Sequence, residues 1–134
     1  MKEHISFDPV EGVAIAIAKD EDELGQEVWN VFLINNNNFP LENVLVASKG
    51  YGEHEGQQVK TSVLRHMFAE VEAKAAVKVE AIDPAIFHIT NEFWVSYYKG
   101  SKIYDKKYLF VPESIIEENL VDIAILNAKG ILHY

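Results

Sequence analysis

Residues 59–79 read VKTSVLRHMFAEVEAKAAVKV, and this stretch decides between an all-β fold and a mixed fold. Its apolar residues fall mainly on odd positions, and a period of two is typical of β-strands. Four of its residues also have the spacing of an α-helix: Leu64, Phe68, Val71 and Ala75. Because strands seldom exceed about 10 residues, we expect two strands over 59–68 and 75–82, joined by a corner at 69–74. The alternative is an α+β fold with a helix near 63–74.

Strand-like segments also precede this stretch. Residues 10–18 alternate between larger apolar side chains and alanines, which predicts a strand. Residues 28–34 form an almost continuous apolar run, as expected for a central strand that is buried on both faces. With residues 44–47 as its partner, this run predicts a β-hairpin.

Further strand-like segments follow it. Residues 91–98 and 103–111 flank Gly100-Ser101, a two-residue turn typical of hairpins. Residues 113–128 have acids near their start and Lys129-Gly130 after their end, which indicates helical structure. We therefore predict a mainly β fold, a single antiparallel immunoglobulin-like β-sandwich of about seven strands with a short helical C-terminal segment. The length of 134 residues predicts one domain, residues 1–134.

The charge balance disfavours several kinds of partner. The chain has 12 Lys and Arg against 21 Asp and Glu, a net charge of −9, and Arg65 is its only arginine. Nucleic acid is a disfavoured partner, because phosphate backbones are bound through many cations. Anionic membrane surfaces are disfavoured for the same reason. The charge is uneven, since residues 1–30 are strongly acidic whereas residues 94–112 are locally basic.

The sequence contains no cysteine. Disulfides, cysteine-ligated zinc, iron–sulfur clusters and thiol nucleophiles are therefore excluded. The first apolar run, residues 13–18, is shorter than the about 7–15 residues of a signal-peptide core and far shorter than the about 18 of a membrane span. We expect a cytoplasmic protein with no membrane association, no metal site and no cofactor.

The richest polar cluster consists of four residues: Lys60, Ser62, Arg65 and His66. On a strand, Ser62 and His66 share one face and Arg65 lies on the other. This pattern allows Arg65 to clamp an anion, or Ser62 and His66 to form a hydrogen bond. Ser–His catalysis also needs an orienting acid and an oxyanion hole, and the sequence identifies neither, so no catalytic residue is assigned.

Tyrosines and lysines interleave along the predicted hairpin near Gly100. The residues of this candidate interaction surface are Tyr97, Tyr98, Lys99, Lys102, Tyr104, Lys106, Lys107 and Tyr108. Ribbons of aromatic and basic residues can stack nucleic acid bases. Lysines on a hairpin more often protect an edge strand from pairing with other chains.

Several short segments carry a resemblance to a known family. They are Trp29-Asn30, Leu33-Ile34-Asn35-Asn36, Leu45-Val46 with Ser48 and Gly50, Lys60-Thr61-Ser62 with Arg65-His66, Asn91-Glu92-Phe93, Lys107 and Gly130-Ile131-Leu132. Through them, residues 27–132 resemble a small, uncharacterised bacterial family whose members are sometimes labelled phenylalanyl-tRNA synthetase alpha subunit. That label implies an ATP site with more than one arginine in a much longer catalytic domain, which 134 residues with one arginine do not provide.

Three functions are compatible with the sequence. The leading hypothesis is a non-enzymatic protein-interaction module. The second is a small-ligand or anion-binding domain, or a minor enzyme, which uses Lys60, Arg65 and His66 and predicts a concave pocket around them. The third is weak RNA association through residues 97–108. Pairing of edge strands between copies would give a homo-oligomer.

Overall fold

The computed structural model describes residues 8–134, and in this part of the chain ten strands form two antiparallel sheets. In chain order the strands are β1 (Val13–Glu21), β2 (Glu27–Asn35), β3 (Leu41–His54), β4 (Gln57–Lys60), β5 (Leu64–Val71), β6 (Ala75–Ala81), β7 (Thr90–Lys99), β8 (Lys102–Phe110), β9 (Val121–Ile123) and β10 (Ala128–His133). Short 3-10 turns lie at Pro84–Ile86, Glu117–Asn119 and Ala124–Leu126.

The two sheets pack face to face around one main core. Sheet A has the strand order β6-β2-β1-β10-β9. In sheet B, β3 pairs along one edge with β7, which in turn pairs with β8. Along its other edge β3 pairs first with β5 and then with β4, so these two short strands act as one interrupted partner.

Residues 59–79 form strands and a corner. Residues 61–63 separate β4 from β5, which both pair with β3, and residues 72–74 carry the chain from β5 in sheet B to β6 in sheet A. The prediction of strands joined by a corner is confirmed, and the alternative helix near 63–74 is wrong. The bounds differ, because the strand predicted over 59–68 is interrupted at 61–63 and continues to Val71, so the corner is 72–74 rather than 69–74. The residues of β5 alternate between the two faces of the sheet: His66 lies opposite the buried Val46 on the inner face, whereas Met67 is 76% exposed on the outer face.

Two finer predictions about the architecture are wrong. The described residues contain ten strands rather than about seven, and no α-helix. The C-terminal segment forms two 3-10 turns and β9 instead of a helix. The reason is tertiary burial: Ile115 belongs to the core between the sheets, whereas Ile123 belongs to a second cluster on the outer surface of sheet A. One straight helix cannot supply side chains to both places.

The predicted pairing of residues 28–34 with residues 44–47 is also wrong. The first run is β2, whose two edges are taken by β1 and β6 in sheet A. The second run belongs to β3, the central strand of sheet B. In contrast, the hairpin around Gly100-Ser101 is confirmed, since β7 and β8 pair as far as Lys99 and Lys102.

The outer surfaces of the two sheets differ. On sheet A, Ala14 and Ala16 form a small apolar cluster with Ile123, and Leu126 packs against it, so the C-terminal segment covers this surface. On sheet B, several large apolar side chains stay exposed: Met67, Trp94, Ile103 and Leu109. Within residues 8–134, then, the chain covers one outer surface of the sandwich and leaves the other open.

Candidate functional site

The predicted cluster of Lys60, Ser62, Arg65 and His66 does not converge in the structure. Lys60 ends β4, and Ser62 lies in the interruption before β5. Arg65 and His66 are neighbours on β5, so their side chains lie on opposite faces of sheet B. The structure therefore contains two separate sites where the sequence indicated one.

His66 belongs to a hydrogen-bond network that connects the two sheets. Its Nε2 lies 2.7 Å from Glu80 Oε1 on β6, and Ser48 Oγ on β3 donates to the same oxygen at 2.8 Å. A carboxylate oxygen only accepts, so His66 carries its proton on Nε2. The carboxylate, not the imidazole, is central in this network. The Ser48 hydroxyl therefore donates its hydrogen bond to Glu80 and not to the His66 imidazole, as a Ser–His pair would require.

Sequence reasoning missed Ser48 and Glu80. They lie on different strands, 18 and 14 positions along the chain from His66. No local motif connects the three residues, and only the pairing of β3 with β5 and the approach of β6 bring them together. Only the strand pairing connects these three residues, and the sequence does not show that pairing.

The tyrosines and lysines of the β7–β8 hairpin are divided between the two faces of sheet B. Tyr97 and Tyr108 are buried in the main core, and the Tyr108 hydroxyl donates to the Val13 carbonyl at 2.6 Å. Tyr104 stacks on Tyr97 with ring centroids 5.2 Å apart. Tyr98 lies on the outer face. Residues 97–108 therefore do not present one continuous aromatic surface.

The burial of Tyr97 predicts a loss of stability at alkaline pH. Desolvation raises the pKa of Tyr97 to about 12, from an ordinary value of 10.0. Tyr97 therefore ionises at a lower pH in the unfolded chain than in the folded protein. Its contribution to the free energy of unfolding, up to about 3 kcal/mol, is complete below pH 10 and is lost between pH 10 and 12. Urea unfolding from pH 8 to 11.5 should show a smaller decline for Tyr97→Phe than for the exposed control Tyr98→Phe. Equal declines in both variants would contradict the assignment.

The outer face of sheet B carries a row of four residues across its strands. The register places Arg65 of β5 opposite Ala47 of β3, Ala47 opposite Trp94 of β7, and Trp94 opposite Lys107 of β8. We call this set the Trp94 row. The small Ala47 side chain leaves a hollow of about 220 Å³ between Arg65 and Trp94. Lys107 Nζ lies 5.8 Å from the Trp94 ring centroid.

A nearly buried carboxylate lies beside the Trp94 row. Glu92 accepts a hydrogen bond from the Tyr51 hydroxyl at 3.0 Å, and its oxygens lie 3.8 Å from Lys49 Nζ and 3.9 Å from Lys107 Nζ. Burial, and then Glu92 itself, raise the pKa of Tyr51, so its hydroxyl remains a donor at neutral pH. Glu92 thus lies within ion-pair distance of two ammonium groups on this face.

Arg65 differs from these lysines. In residues 8–134 no carboxylate lies within 4 Å of its guanidinium, so its donors face the hollow and solvent without an ion-pair partner. A guanidinium in this state is suited to a bidentate contact with a carboxylate. The same face also exposes large apolar side chains, with Trp94 42% and Met67 76% exposed.

Two features with a direct functional meaning are not found in the described part of the chain. Residues 8–134 contain no group of three His, Cys, Asp or Glu placed to hold a metal ion. They also contain no helix long and apolar enough to cross a membrane. The chain matches no family model, no curated protein and no solved structure. Function must therefore be argued from the geometry of the Trp94 row and of the Ser48–Glu80–His66 network.

Proposed function

We propose that this protein is a non-enzymatic protein-interaction domain that binds its partner on the outer face of sheet B. One observation carries the proposal: the C-terminal segment covers the apolar outer surface of sheet A, whereas Met67, Trp94, Ile103 and Leu109 stay exposed on sheet B. Exposed apolar patches of this kind on soluble domains usually mark interaction surfaces.

The chemistry of the face defines the partner. Trp and Arg are the residues most enriched at the energetic centre of protein interfaces, and here Trp94 and Arg65 flank the same hollow. An apolar or aromatic side chain would fill the hollow over Ala47. Because Arg65 has no carboxylate partner in the described residues and Lys49 and Lys107 add positive charge, an acidic group would pair beside it. The partner is therefore a protein surface or segment with acidic and apolar side chains.

The strand order supports an immunoglobulin-like sandwich as the scaffold. In that fold strand B lies between A and E, and strand F lies between C and G. Here β2 lies between β1 and β6, and β7 lies between β3 and β8. On this assignment β9 and β10 extend sheet A beyond its first strand. Membership of the small bacterial family that residues 27–132 resemble stays a prediction.

A peptide-display selection tests the proposed partner chemistry. Random peptides are selected on the immobilised protein and then measured one by one by fluorescence polarisation. We expect enriched peptides to combine Asp or Glu with an aromatic or aliphatic residue. They should bind at least tenfold more weakly to Trp94→Ala and to Arg65→Glu, about 1.4 kcal/mol for each tenfold change.

Matched controls lie on the sheet A side of the molecule. Ile125 is 42% exposed, as is Trp94, so Ile125→Ala removes an equally exposed apolar side chain. Lys129→Glu makes the same change of charge as Arg65→Glu. Both controls should leave peptide binding unchanged. Peptides that bind all four variants equally would exclude the Trp94 row as the binding site.

Trp94→Ala and Arg65→Glu also test whether a second copy of the chain or RNA binds to the outer face of sheet B instead. Sedimentation equilibrium of the purified protein should show a monomer. A dimer that Trp94→Ala dissociates would mean that a second copy covers the face, against the proposal. Tight binding of a single-stranded RNA oligonucleotide that Arg65→Glu abolishes would identify RNA as the ligand, again against it.

A further inference from the structure

A second cavity lies between the two sheets, on the opposite side of sheet B from the Trp94 row. It has a volume of about 180 Å³ and lies beside residues 61–63, which separate β4 from β5 along the edge of β3. The walls include Gly50 of β3, Glu80 of β6 and Asn91 of β7. The cavity and the hollow beside Arg65 have two lining residues in common, Ser48 and Lys49 of β3, but the other residues that line them differ.

Asn91 presents an unpaired acceptor to this cavity. The residue is only 3% exposed, and its Nδ2 donates to the carbonyl oxygens of Ile86 at 2.9 Å and Ile89 at 3.2 Å. These two bonds fix the orientation of the amide. Its Oδ1 accepts no hydrogen bond from any side chain or turn of residues 8–134. Buried polar atoms of this kind are normally paired, so the cavity is expected to contain a donor.

A side chain at residue 50 would crowd the surroundings of this oxygen. A Cβ placed on Gly50 would lie 3.5 Å from Asn91 Oδ1, 3.0 Å from Ile89 Cδ1 and 3.1 Å from Thr61 Cγ2. The absence of a side chain at residue 50 is therefore part of the shape of the cavity.

Glu80 contributes negative charge to the same cavity. Its side chain is 13% exposed, and Oε1 accepts from both Ser48 and His66. Oε2 has no donor among residues 8–134, and no lysine or arginine of this part of the chain lies within 4 Å of the carboxylate. Lys49, whose backbone borders the cavity, has its ammonium near Glu92 instead. The polar lining is thus rich in acceptors.

We propose that this cavity binds a small primary alkylammonium ion. An ammonium group supplies three donors and a positive charge, which match the carboxylate of Glu80 and the Oδ1 of Asn91. The remaining lining is largely apolar, with Leu64, Ile82 and Phe93, and suits a short hydrocarbon chain. The volume is below the about 300 Å³ at which sites for drug-sized ligands begin, so the ligand has only a few carbon atoms.

Titration with n-butylammonium at neutral pH, followed by amide NMR shifts, tests this site. We expect saturable shifts at Gly50, Ala81 and Asn91, and at least tenfold weaker binding of 1-butanol, which has the same shape without the charge. Glu80→Gln should weaken n-butylammonium binding at least tenfold, whereas Glu53→Gln, which removes an exposed acid of β3, should not. Gly50→Ala should weaken both compounds because it narrows the cavity.

Several results would overturn the proposal. Absence of saturable shifts would mean that water alone pairs with Asn91. Equal affinity for 1-butanol would show an apolar cavity without ammonium recognition. Equal effects of Glu80→Gln and Glu53→Gln would show charge attraction at a distance. Trp94→Ala should leave n-butylammonium binding intact, so the two proposals succeed or fail independently.

Discussion

Replacement of Asn35 by aspartate should lower the free energy of unfolding by about 3 kcal/mol or more, because it buries a charge and replaces a donor of three hydrogen bonds by an acceptor. Asn35 is fully buried at the end of β2. Its Nδ2 donates to the carbonyl oxygens of Phe39, Glu72 and Val71 at 2.9, 3.1 and 3.3 Å. A carboxylate of the same shape would face these three oxygens as a like charge.

The location of Asn35 explains the size of the effect. The residue ends a strand of sheet A, and two of its acceptors belong to the segment where β5 leaves sheet B. Its Oδ1 also accepts from the backbone amide of Asn37 at 3.0 Å. One amide side chain therefore joins the two sheets at the corner, and its loss removes a large part of the about 5–15 kcal/mol that stabilises a typical domain.

Asn38→Asp is the matched control for this experiment. Asn38 is exposed in the same run of asparagines, so the same chemical change should alter stability by less than about 0.5 kcal/mol. Urea unfolding followed by circular dichroism measures both variants. The assignment of Asn35 to the corner is refuted if Asn35→Asp is as stable as Asn38→Asp at neutral pH.

The second large effect is expected at Gly130, where β10 approaches β1. Gly130 pairs with Ala18, and a Cβ built on it would lie 2.5 Å from the Ile17 carbonyl oxygen and 2.8 Å from Ala18 Cα. Both atoms belong to the backbone and cannot rotate away. Gly130→Ala should therefore destabilise the protein by about 3 kcal/mol, the upper part of the range for overpacking.

The sign of the change in unfolding free energy shows whether steric overlap with β1 or the flexibility of glycine in the unfolded chain dominates at residue 130. Where the backbone allows a side chain, replacing glycine by alanine stabilises a protein by about 0.4–1 kcal/mol, because it restricts the unfolded chain. Gly130 lies within a regular strand, so only the contact with β1 opposes alanine. The exposed neighbour Lys129→Ala is the control. Unfolding of Gly130→Ala at or above the wild-type urea midpoint would contradict the predicted overlap.

Amide hydrogen exchange should show which strands are destabilised in Gly130→Ala. Displacement of β10 would also move β9, which pairs only with β10 in the described chain, and would uncover Ala14 and Ala16. Amide protection should therefore fall first in β9 and β10. The β7–β8 hairpin of sheet B should keep its protection, since neither strand pairs with sheet A.

Much of the secondary structure could be predicted from local pattern. The alternation of residues 59–79 and the Gly100-Ser101 turn both reflect backbone geometry over a few residues, and both predictions are confirmed. The helix predicted for residues 113–128 failed because its capping signals are local, whereas Ile115 and Ile123 are buried in separate clusters. Weak local preferences yield to burial of this kind.

The sites were harder to predict than the strands. The sequence singled out Arg65 and His66 together, but a strand places neighbouring residues on opposite faces, and each joined a different site. Ser48, Glu80 and Asn91 carry no local signal, since their contacts come from three strands of two sheets. Trp94 was visible only as an alternating apolar residue, and its exposure depends on what the rest of the chain covers.

The sequence by itself determined that most of residues 10–111 form strands joined by turns, because a period of two is a property of the extended backbone. It also determined the scarcity of positive charge that makes Arg65 distinctive. Only the tertiary structure decided that β2 and β3 belong to different sheets and that the C-terminal segment covers sheet A. It alone opened the Trp94 row and the cavity at Asn91. These features depend on how apolar surface is shared among distant strands, and no short segment of the chain carries that information.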